Sequence, residues 1–375
     1  MKKIIGLLKV KNESDIIESC VRYTLAYCDS LLVYDNGSFD ETGEIIRKLA
    51  AEGLAVVFLN DWGVSRSPDK ELMAALAVNE YGADLVLSLD ADEFLGHADG
   101  TNPRHALEAL PEDTEFQIPW RTYIYEKEPD LGFLPNNFSH YRHPLLERVA
   151  GHAGLAVTNR YLILEKQSTF APGSHWLNYP PEIQGSVAVK THEKLFLAHF
   201  PARSRRQVCK KIIPESIHHM RDTDQYNTFE KIYADHQFGP FYKEFKEEGR
   251  ISQEQIKRLS VEYSLYNLGS RRKAEKVMRE LGGGLLVRGP LDVSFCAEKL
   301  KLRYTEEEND DSALWRSTLA AIEATVAALQ KREKTCPCRR WQAKATAWLR
   351  QWPRALKMAK TLRQLFRRLG PPPTA

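Results

Sequence analysis

The sequence predicts an α/β protein with a mostly parallel sheet, followed by a helical C-terminal region. Two observations support this class. Four apolar stretches in the first 90 residues alternate with segments whose apolar residues recur every three or four positions, the strand and helix alternation that builds parallel sheets. Polar and acidic residues follow the second and fourth stretches, at strand ends that would line one crevice.

The predicted elements follow in order along the chain. Each strand is an apolar run bounded by polar residues, and each helix has an apolar stripe that would face the sheet. Polar residues precede the first two helices, as is typical of helix starts. The strands are predicted at 3–10, 30–34, 55–59 and 85–89, and the helices at 16–25, directly behind Thr42, and at 69–81.

Asp90-Ala91-Asp92 directly follows the fourth predicted strand. Two carboxylates separated by one residue on an extended segment point to the same face. They could therefore hold a divalent cation from one side and leave its other positions open for phosphate oxygens. We expect Asp90 and Asp92 to bind Mg²⁺ or Mn²⁺, and Asp35 to face the same ligand.

Several motifs in a fixed order resemble family 2 glycosyltransferases, in particular a bacterial branch of that family. Gly173-Ser174-His175 resembles a Gly-x-His element of the branch. The likeness covers residues 1–215 and fades beyond them. The other motifs are Asn12-Glu13, Asp35-Asn36-Gly37-Ser38-Phe39-Asp40, Asp90-Ala91-Asp92-Glu93-Phe94 and His199-Phe200-Pro201-Ala202-Arg203-Ser204.

The resemblance implies a GT-A fold, a nucleotide-sugar donor, a divalent metal and an inverting transfer. Asp35 would contact the nucleotide base, and Asp90 and Asp92 would approach the ribose and, through the metal, the diphosphate. The Glu-Asp pair that often supplies the base in this family has no match here, so the general base is unassigned. The donor-binding residues implied by the motifs are Asn12, Glu13, Asp35, Asn36, Gly37, Asp40 and Asp90.

Other candidates would complete the site. An imidazole ligand would favour Mn²⁺ over Mg²⁺, and His199 is preferred to His175 because residues 195–197 predict a strand that ends near it. Basic side chains could share the diphosphate charge, and the acceptor hydroxyl needs a general base. The basic candidates are Lys70, Arg203 and Arg66, and the base candidates are Glu147, Glu193 and Asp130.

Residues 115–180 are rich in aromatic side chains. Aromatic rings beside polar residues can form a cleft for a sugar acceptor, and they can equally fill the core of a small antiparallel subdomain. The sequence leaves both interpretations open. The rings are Phe116, Trp120, Tyr123, Tyr125, Phe133, Phe138, Tyr141, Trp176 and Tyr179.

Composition favours a cytoplasmic protein. The 375 residues are 43% hydrophobic, which is sufficient for a full α/β core. The six cysteines are scattered, and Cys336-Pro337-Cys338 lacks the second ligand pair of a zinc site, so free thiols in a reducing compartment are expected. We expect neither a signal peptide nor a membrane-spanning segment.

Basic residues are concentrated at the C-terminus. The net charge is +3, yet residues 331–368 contain thirteen lysines and arginines against one acid, Glu333. Apolar residues, including Trp348 and Trp352, recur at helical spacing across 339–369. Such a helix favours an anionic membrane surface, and docking on the protein itself or on a partner protein is the alternative. Nucleic-acid binding is not expected, because the helix has an unusually apolar face.

The sequence therefore predicts a metal-dependent glycosyltransferase at the inner face of the plasma membrane. We expect a UDP-sugar donor and a glycan or lipid-linked acceptor of polysaccharide or lipopolysaccharide synthesis. A sugar-phosphate nucleotidyltransferase and a non-catalytic nucleotide-sugar or glycan-binding module are the alternatives. The predicted parts are a GT-A domain at 1–215, with a nucleotide-binding half at 1–95 and an acceptor- and metal-completing half at 96–215, a helical region at 216–334 and a basic tail at 335–375.

Overall fold

The computed structural model describes residues 1–36, 38, 40–59, 68–122, 141–142, 154–171 and 174–200, together with 207, 287–288 and 295–296. The chain divides into two compact units, 1–321 and 322–375, and every described residue belongs to the first. None of the helices in these ranges combines the length and the hydrophobicity needed to cross a bilayer. The predicted boundaries after 215 and 334 and the basic tail lie outside the described residues.

Strands and helices alternate in the N-terminal part within two residues of the predicted bounds. The helices are α1 Ile17–Thr24, α2 Thr42–Ala51, α3 Pro68–Asn79, α4 Arg104–Glu108 and α5 Arg160–Leu164. The longer strands are β1 Ile4–Val10, β2 Ser30–Asp35, β3 Val56–Leu59, β4 Leu85–Leu89, β5 Glu93–His97, β6 Thr114–Thr122, β8 Gly154–Asn159, β11 Ala188–Thr191 and β12 Leu195–His199. The two-residue strands are β7 Tyr141–Arg142, β9 Thr169–Phe170, β10 Leu177–Asn178 and β13 Val287–Arg288.

A nine-stranded sheet forms the centre of the fold, in the order β3-β2-β1-β4-β8-β6-β12-β5, with β11 paired to β6. The first four strands of this order are parallel, β8 is antiparallel to both β4 and β6, β12 is parallel to β6, and β5 is antiparallel to β12. The predicted α/β class is confirmed. Because of these directions, β1, β2, β4, β6 and β12 end at one edge of the sheet, where β5 and β8 begin. We call it the carboxyl edge.

Side chains alternate across β1 and so define two packed faces. Ile4 and Leu8 pack with α1 and α2, whereas Ile5 and Leu7 pack with α3 and α5. Helices therefore cover both faces of the parallel strands, which explains why these strands are apolar almost throughout. The same alternation in the neighbouring strands directs residues at the carboxyl edge towards either α2 or α3.

The predicted extended geometry of residues 90–92 is wrong. The amide of Glu93 donates to the carbonyl of Asp90 at 3.1 Å, which closes a turn over Asp90-Ala91-Asp92. The chain turns here because β5 runs opposite to β4. As a result the two carboxylates have different surroundings: the Asp90 side chain is 49% exposed, and that of Asp92 is 5% exposed.

The region predicted as helical, 216–334, also contributes a strand. Val287–Arg288 pairs antiparallel with β7, and the Phe295 ring lies 5.4 Å from that of Tyr23 in α1. Cys296 is fully buried in the same core. The helices predicted in this region lie outside the described residues.

Candidate functional site

Buried acidic residues gather at the carboxyl edge. Asp35 ends β2, Asp92 and Glu93 follow β4, and Glu13 follows β1, and all four are buried. Burial raises the pKa of the Cys20 thiol in α1, and the charges of Asp92, Glu13 and Glu93 raise it further. Three carboxylates thus act on one buried thiol. Acidic side chains from separate segments are therefore concentrated at this edge.

The loops after β1 and β2 form one hydrogen-bonded unit. The amide of Asn12, which has a φ of +54°, donates to Ser38 Oγ at 2.9 Å, and the Ser38 amide donates to Asp35 Oδ1 at 2.9 Å. The amide of Glu13 donates to Thr42 Oγ1 at 2.8 Å. The structure therefore brings the first two predicted motifs together.

Asp40 and Asn36 belong to the same unit. Asp40 Oδ2 accepts from the amide of Ser14 at 3.2 Å, and its Oδ1 accepts from the amide of Thr42 at 3.0 Å. The amide of Asn36 donates to the Val10 carbonyl at 2.8 Å. These contacts fix the shape of the two loops. Asp40 and Asn36 therefore have a structural role, and their binding of the donor stays a prediction.

Gly43, the second residue of α2, leaves room for the Asp35 carboxylate. A methyl group at this position would lie 2.8 Å from Asp35 Oδ2, well inside normal van der Waals contact. A larger residue at position 43 would therefore displace the Asp35 carboxylate. Sequence analysis missed this residue because the contact depends on how the helix packs.

His199 ends β12, and its Nε2 lies 3.9 Å from Oδ1 of Asp92. Both side chains are almost fully buried, with exposed fractions of 4% and 5%. The imidazole stacks on the indole of Trp120, with ring centroids 4.6 Å apart and planes inclined by 18°. His175 also contacts Trp120, edge-on at 4.8 Å, but its Nδ1 donates to the Gly154 carbonyl at 3.0 Å.

Glu93 connects the acidic turn with this histidine. Its Oε2 accepts from the Asp90 amide at 3.0 Å, its Oε1 accepts from Trp120 Nε1 at 2.6 Å, and it pairs with His199 across β5 and β12. Burial raises the pKa of Glu93 to about 8, and the charges of Asp90 and Asp92 add to the effect. The sequence suggested no role for Glu93, although it lies within a motif, and it suggested Trp120 only as a ring of an acceptor cleft or of a subdomain core.

Lys70 brings a positive charge to the same edge. Its Nζ lies 3.6 Å from Asp90 Oδ1 and donates to Ser174 Oγ at 2.8 Å. Lys70 is the one predicted phosphate-binding side chain that falls within the described residues. Arg66, Arg203 and Gly37 lie outside them.

Glu193 is not brought to the carboxyl edge. It is exposed and precedes β12, whereas His199 ends that strand. The strand Leu195–His199 by itself places its two ends about 13 Å apart. The other predicted bases, Glu147 and Asp130, lie outside the described residues.

The described aromatic residues of 115–180 serve different purposes. Trp120 is 7% exposed, and Phe116 packs against the main core. The Tyr179 hydroxyl donates to Glu115 at 2.9 Å, whereas Trp176 is 48% exposed. Most of these four rings therefore contribute to the core. Of the other predicted rings, only Tyr141 falls within the described residues, and only its backbone is described.

No protein-family model matches this chain, and no curated protein matches it significantly. Solved structures that resemble it are a mannosyltransferase of Pyrobaculum calidifontis, PcManGT, in complex with GDP-Man and Mn²⁺, and residues 1–349 of TarS from S. aureus. The first has 13% identity and a TM-score of 0.37, covering 88% of this chain and 87% of that chain. The second has 14% identity and a TM-score of 0.34, covering 82% of this chain and 98% of that chain.

A third similar structure is that of GalNAc-T7 with UDP, GalNAc and Mn²⁺, at 10% identity and a TM-score of 0.35. The match covers 68% of this chain and 56% of that chain. At these values the likeness is distant. The function proposed below therefore rests on the residues of this chain.

The raised pKa of Glu93 predicts a pH-dependent stability. A glutamate that titrates near 4.5 when unfolded and near 8 when folded binds its proton more tightly in the folded state. Its contribution to stability is therefore complete below pH 4.5 and is lost as the pH rises towards 8, by up to about 1.4 kcal/mol per pH unit. In chelator-treated protein, the free energy of unfolding of wild type should fall between pH 5 and 8 relative to that of Glu93→Gln.

Urea denaturation at each pH measures this difference. Glu112→Gln, at an exposed position, is the control and should track wild type at every pH. A constant difference between wild type and Glu93→Gln across this range would contradict the raised pKa.

Proposed function

We propose that this protein is a metal-dependent glycosyltransferase that transfers a sugar, with inversion, from a UDP-sugar to a glycan or lipid-linked glycan. The observation that carries the proposal is the buried contact between Asp92 and His199 at the carboxyl edge. Ligand crevices of open α/β sheets lie at this edge. Asp35 ends a strand at the same edge, and the motif resemblance to family 2 glycosyltransferases gives independent support.

Asp92 and His199 have the chemistry and spacing to share one divalent ion. Asp92 Oδ1 and His199 Nε2 lie 3.9 Å apart, close enough for the two side chains to hold the same ion. Within the described ranges, no group of three His, Cys, Asp or Glu side chains gathers as a metal site. Phosphate oxygens of the donor and water would complete the coordination, and an imidazole–carboxylate pair favours Mn²⁺. When bound, the ion would supply Lewis-acid stabilisation of the leaving diphosphate.

The chain's own residues would bind and orient the donor. Asp35, held by the Ser38 amide, can accept a hydrogen bond from the imide N–H of uracil. Lys70 would share the diphosphate charge, and Arg203 is proposed for the same role from its motif. Inversion by direct displacement requires a base on the acceptor side of the sugar, and Glu147 and Asp130 are the predicted candidates for this role.

Removing the charge of Asp92 should abolish metal binding and leave the fold intact. Asp92→Asn keeps the side-chain volume, so we expect it to fold but to lose transfer by more than about 100-fold, because the leaving group is no longer stabilised. A thermal-shift screen of UDP-, GDP-, ADP- and CDP-sugars with Mn²⁺ identifies the donor first. Transfer is then followed by release of nucleoside diphosphate, and Mn²⁺ binding by electron paramagnetic resonance.

Asp99→Asn is the matched control, since Asp99 is an exposed carboxylate that follows β5 at the opposite edge. It should behave as wild type in all three assays. Full activity of Asp92→Asn at limiting Mn²⁺ would refute the metal role, and the absence of any stabilising nucleotide sugar would refute the enzyme.

A methyl group at Gly43 should weaken donor binding without weakening the fold. Gly43→Ala favours the α2 helix by about 1 kcal/mol but displaces the Asp35 carboxylate. We expect an unchanged or higher melting temperature together with UDP affinity reduced by about 5- to 10-fold, the loss of roughly one hydrogen bond. Calorimetric titration measures the affinity. Ala51→Gly, at the other end of α2, should show the reverse: lower stability with unchanged affinity. Unaltered UDP affinity in Gly43→Ala would exclude Asp35 from the donor site.

We further propose that the segment 339–369 binds anionic membranes. Its support is the basic charge of 331–368 and the tryptophans at helical spacing. The full chain should sediment with vesicles containing phosphatidylglycerol and not with phosphatidylcholine vesicles, and high salt should release it. Trp348→Ser/Trp352→Ser should bind the vesicles more weakly by about 10-fold or more and retain UDP affinity. Equal binding to both vesicle types, or none, would favour docking on protein instead.

A further inference from the structure

Ser174 has a backbone conformation that serine seldom adopts. Its φ is +60°, and it is 1% exposed. A non-glycine residue is kept in this region only when the surrounding contacts demand it, and such residues cluster at functional sites. The contacts of its hydroxyl group indicate what this conformation achieves.

The Ser174 hydroxyl joins a buried serine to a lysine. Lys70 Nζ donates to Ser174 Oγ at 2.8 Å, and Ser174 Oγ lies 3.0 Å from Ser88 Oγ. An ammonium group only donates hydrogen bonds, so Ser174 accepts from Lys70 and shares the second bond with Ser88. Ser88 is 2% exposed and lies in β4, while Lys70 lies in α3. The array therefore ties three separate segments together.

This array fixes the Lys70 ammonium at the carboxyl edge. Its Nζ is 3.6 Å from Asp90 Oδ1, next to the turn that also carries Asp92. A lysine has a long flexible side chain, which loses rotamer entropy when it is held in one place. The Lys70 side chain is 17% exposed, so it is partly enclosed and yet reaches the half-exposed Asp90.

We propose that Ser174 is a positioning residue which, with Ser88, holds the Lys70 ammonium where it binds the diphosphate of the donor nucleotide. This inference rests on the proposed function and adds to it the residues that fix a protein cation beside the metal site. Release of the sugar leaves more negative charge on the diphosphate than the intact donor carries. A pre-positioned ammonium can stabilise that charge without moving.

Two substitutions of Ser174 distinguish the effect of its hydroxyl group from the effect of its backbone conformation. Ser174→Gly removes the hydroxyl and relieves the positive φ, whereas Ser174→Ala removes the hydroxyl and keeps the strain. If the hydroxyl positions Lys70, both variants should bind UDP with Mn²⁺ about tenfold more weakly than wild type, the loss of one charge-assisted hydrogen bond. Uridine affinity should stay within about twofold, because the ammonium faces the phosphates.

Calorimetric titration of the full chain with UDP and with uridine gives both affinities, with GDP and guanosine in parallel. Ser168→Ala is the matched control, since Ser168 is a buried serine whose hydroxyl lies 3.4 Å from that of Thr158, at the other end of β8. It should bind UDP as wild type does. Lys70→Met should lose at least as much affinity as Ser174→Gly, and the double variant should lose no more than Lys70→Met, because both changes act through one ammonium.

The outcomes distinguish this inference from the proposed function. Wild type that binds UDP or GDP with Mn²⁺, together with a Ser174→Gly variant of equal affinity, overturns the positioning role and leaves the function intact. If Ser174→Gly loses the same affinity for UDP and for uridine, the positioning role is also overturned, since the substitution then disturbs the whole binding site. Wild type that binds no nucleoside diphosphate overturns both.

Discussion

The direction of the strands is the constraint on which the candidate site depends. Because β4 and β6 are both antiparallel to β8, the ends of β1, β2, β4, β6 and β12 meet at one edge. Asp35, Asp92 and His199 are far apart in sequence, yet each lies at or directly behind one of these ends. Helices on both faces of the sheet bury its strands, so polar groups reach a ligand only where the strands stop.

Burying acidic groups at this edge costs solvation free energy, which hydrogen bonds and one lysine partly offset. Burial raises the pKa of Glu93 to about 8, and its two oxygens accept hydrogen bonds from the Asp90 amide and the Trp120 indole. Lys70 lies beside Asp90. The divalent ion proposed between Asp92 and His199 would add positive charge beside these acidic groups and so stabilise the folded protein on binding.

Much of the N-terminal architecture could be predicted from local patterns. The strands and helices fall within two residues of their predicted positions, since apolar periodicity reflects which side chains face the core. The preference for His199 over His175 as a metal ligand came from the strand predicted before it, and that strand is β12. Glu193 was predicted as a base from its position along the chain, but that position does not indicate at which edge of the sheet a residue lies.

The α/β class, the order of elements and the acidic residues behind β2 and β4 can be read from the sequence, because these depend on periodicity and turn chemistry within a few residues. The folded chain adds what local patterns do not show: that 90–92 forms a turn, that Glu93 contacts Trp120, that Gly43 leaves room for Asp35, and that Lys70 reaches Ser174. Each of these contacts depends on strand direction or helix packing, which bring together residues as far apart as the 104 positions between Lys70 and Ser174.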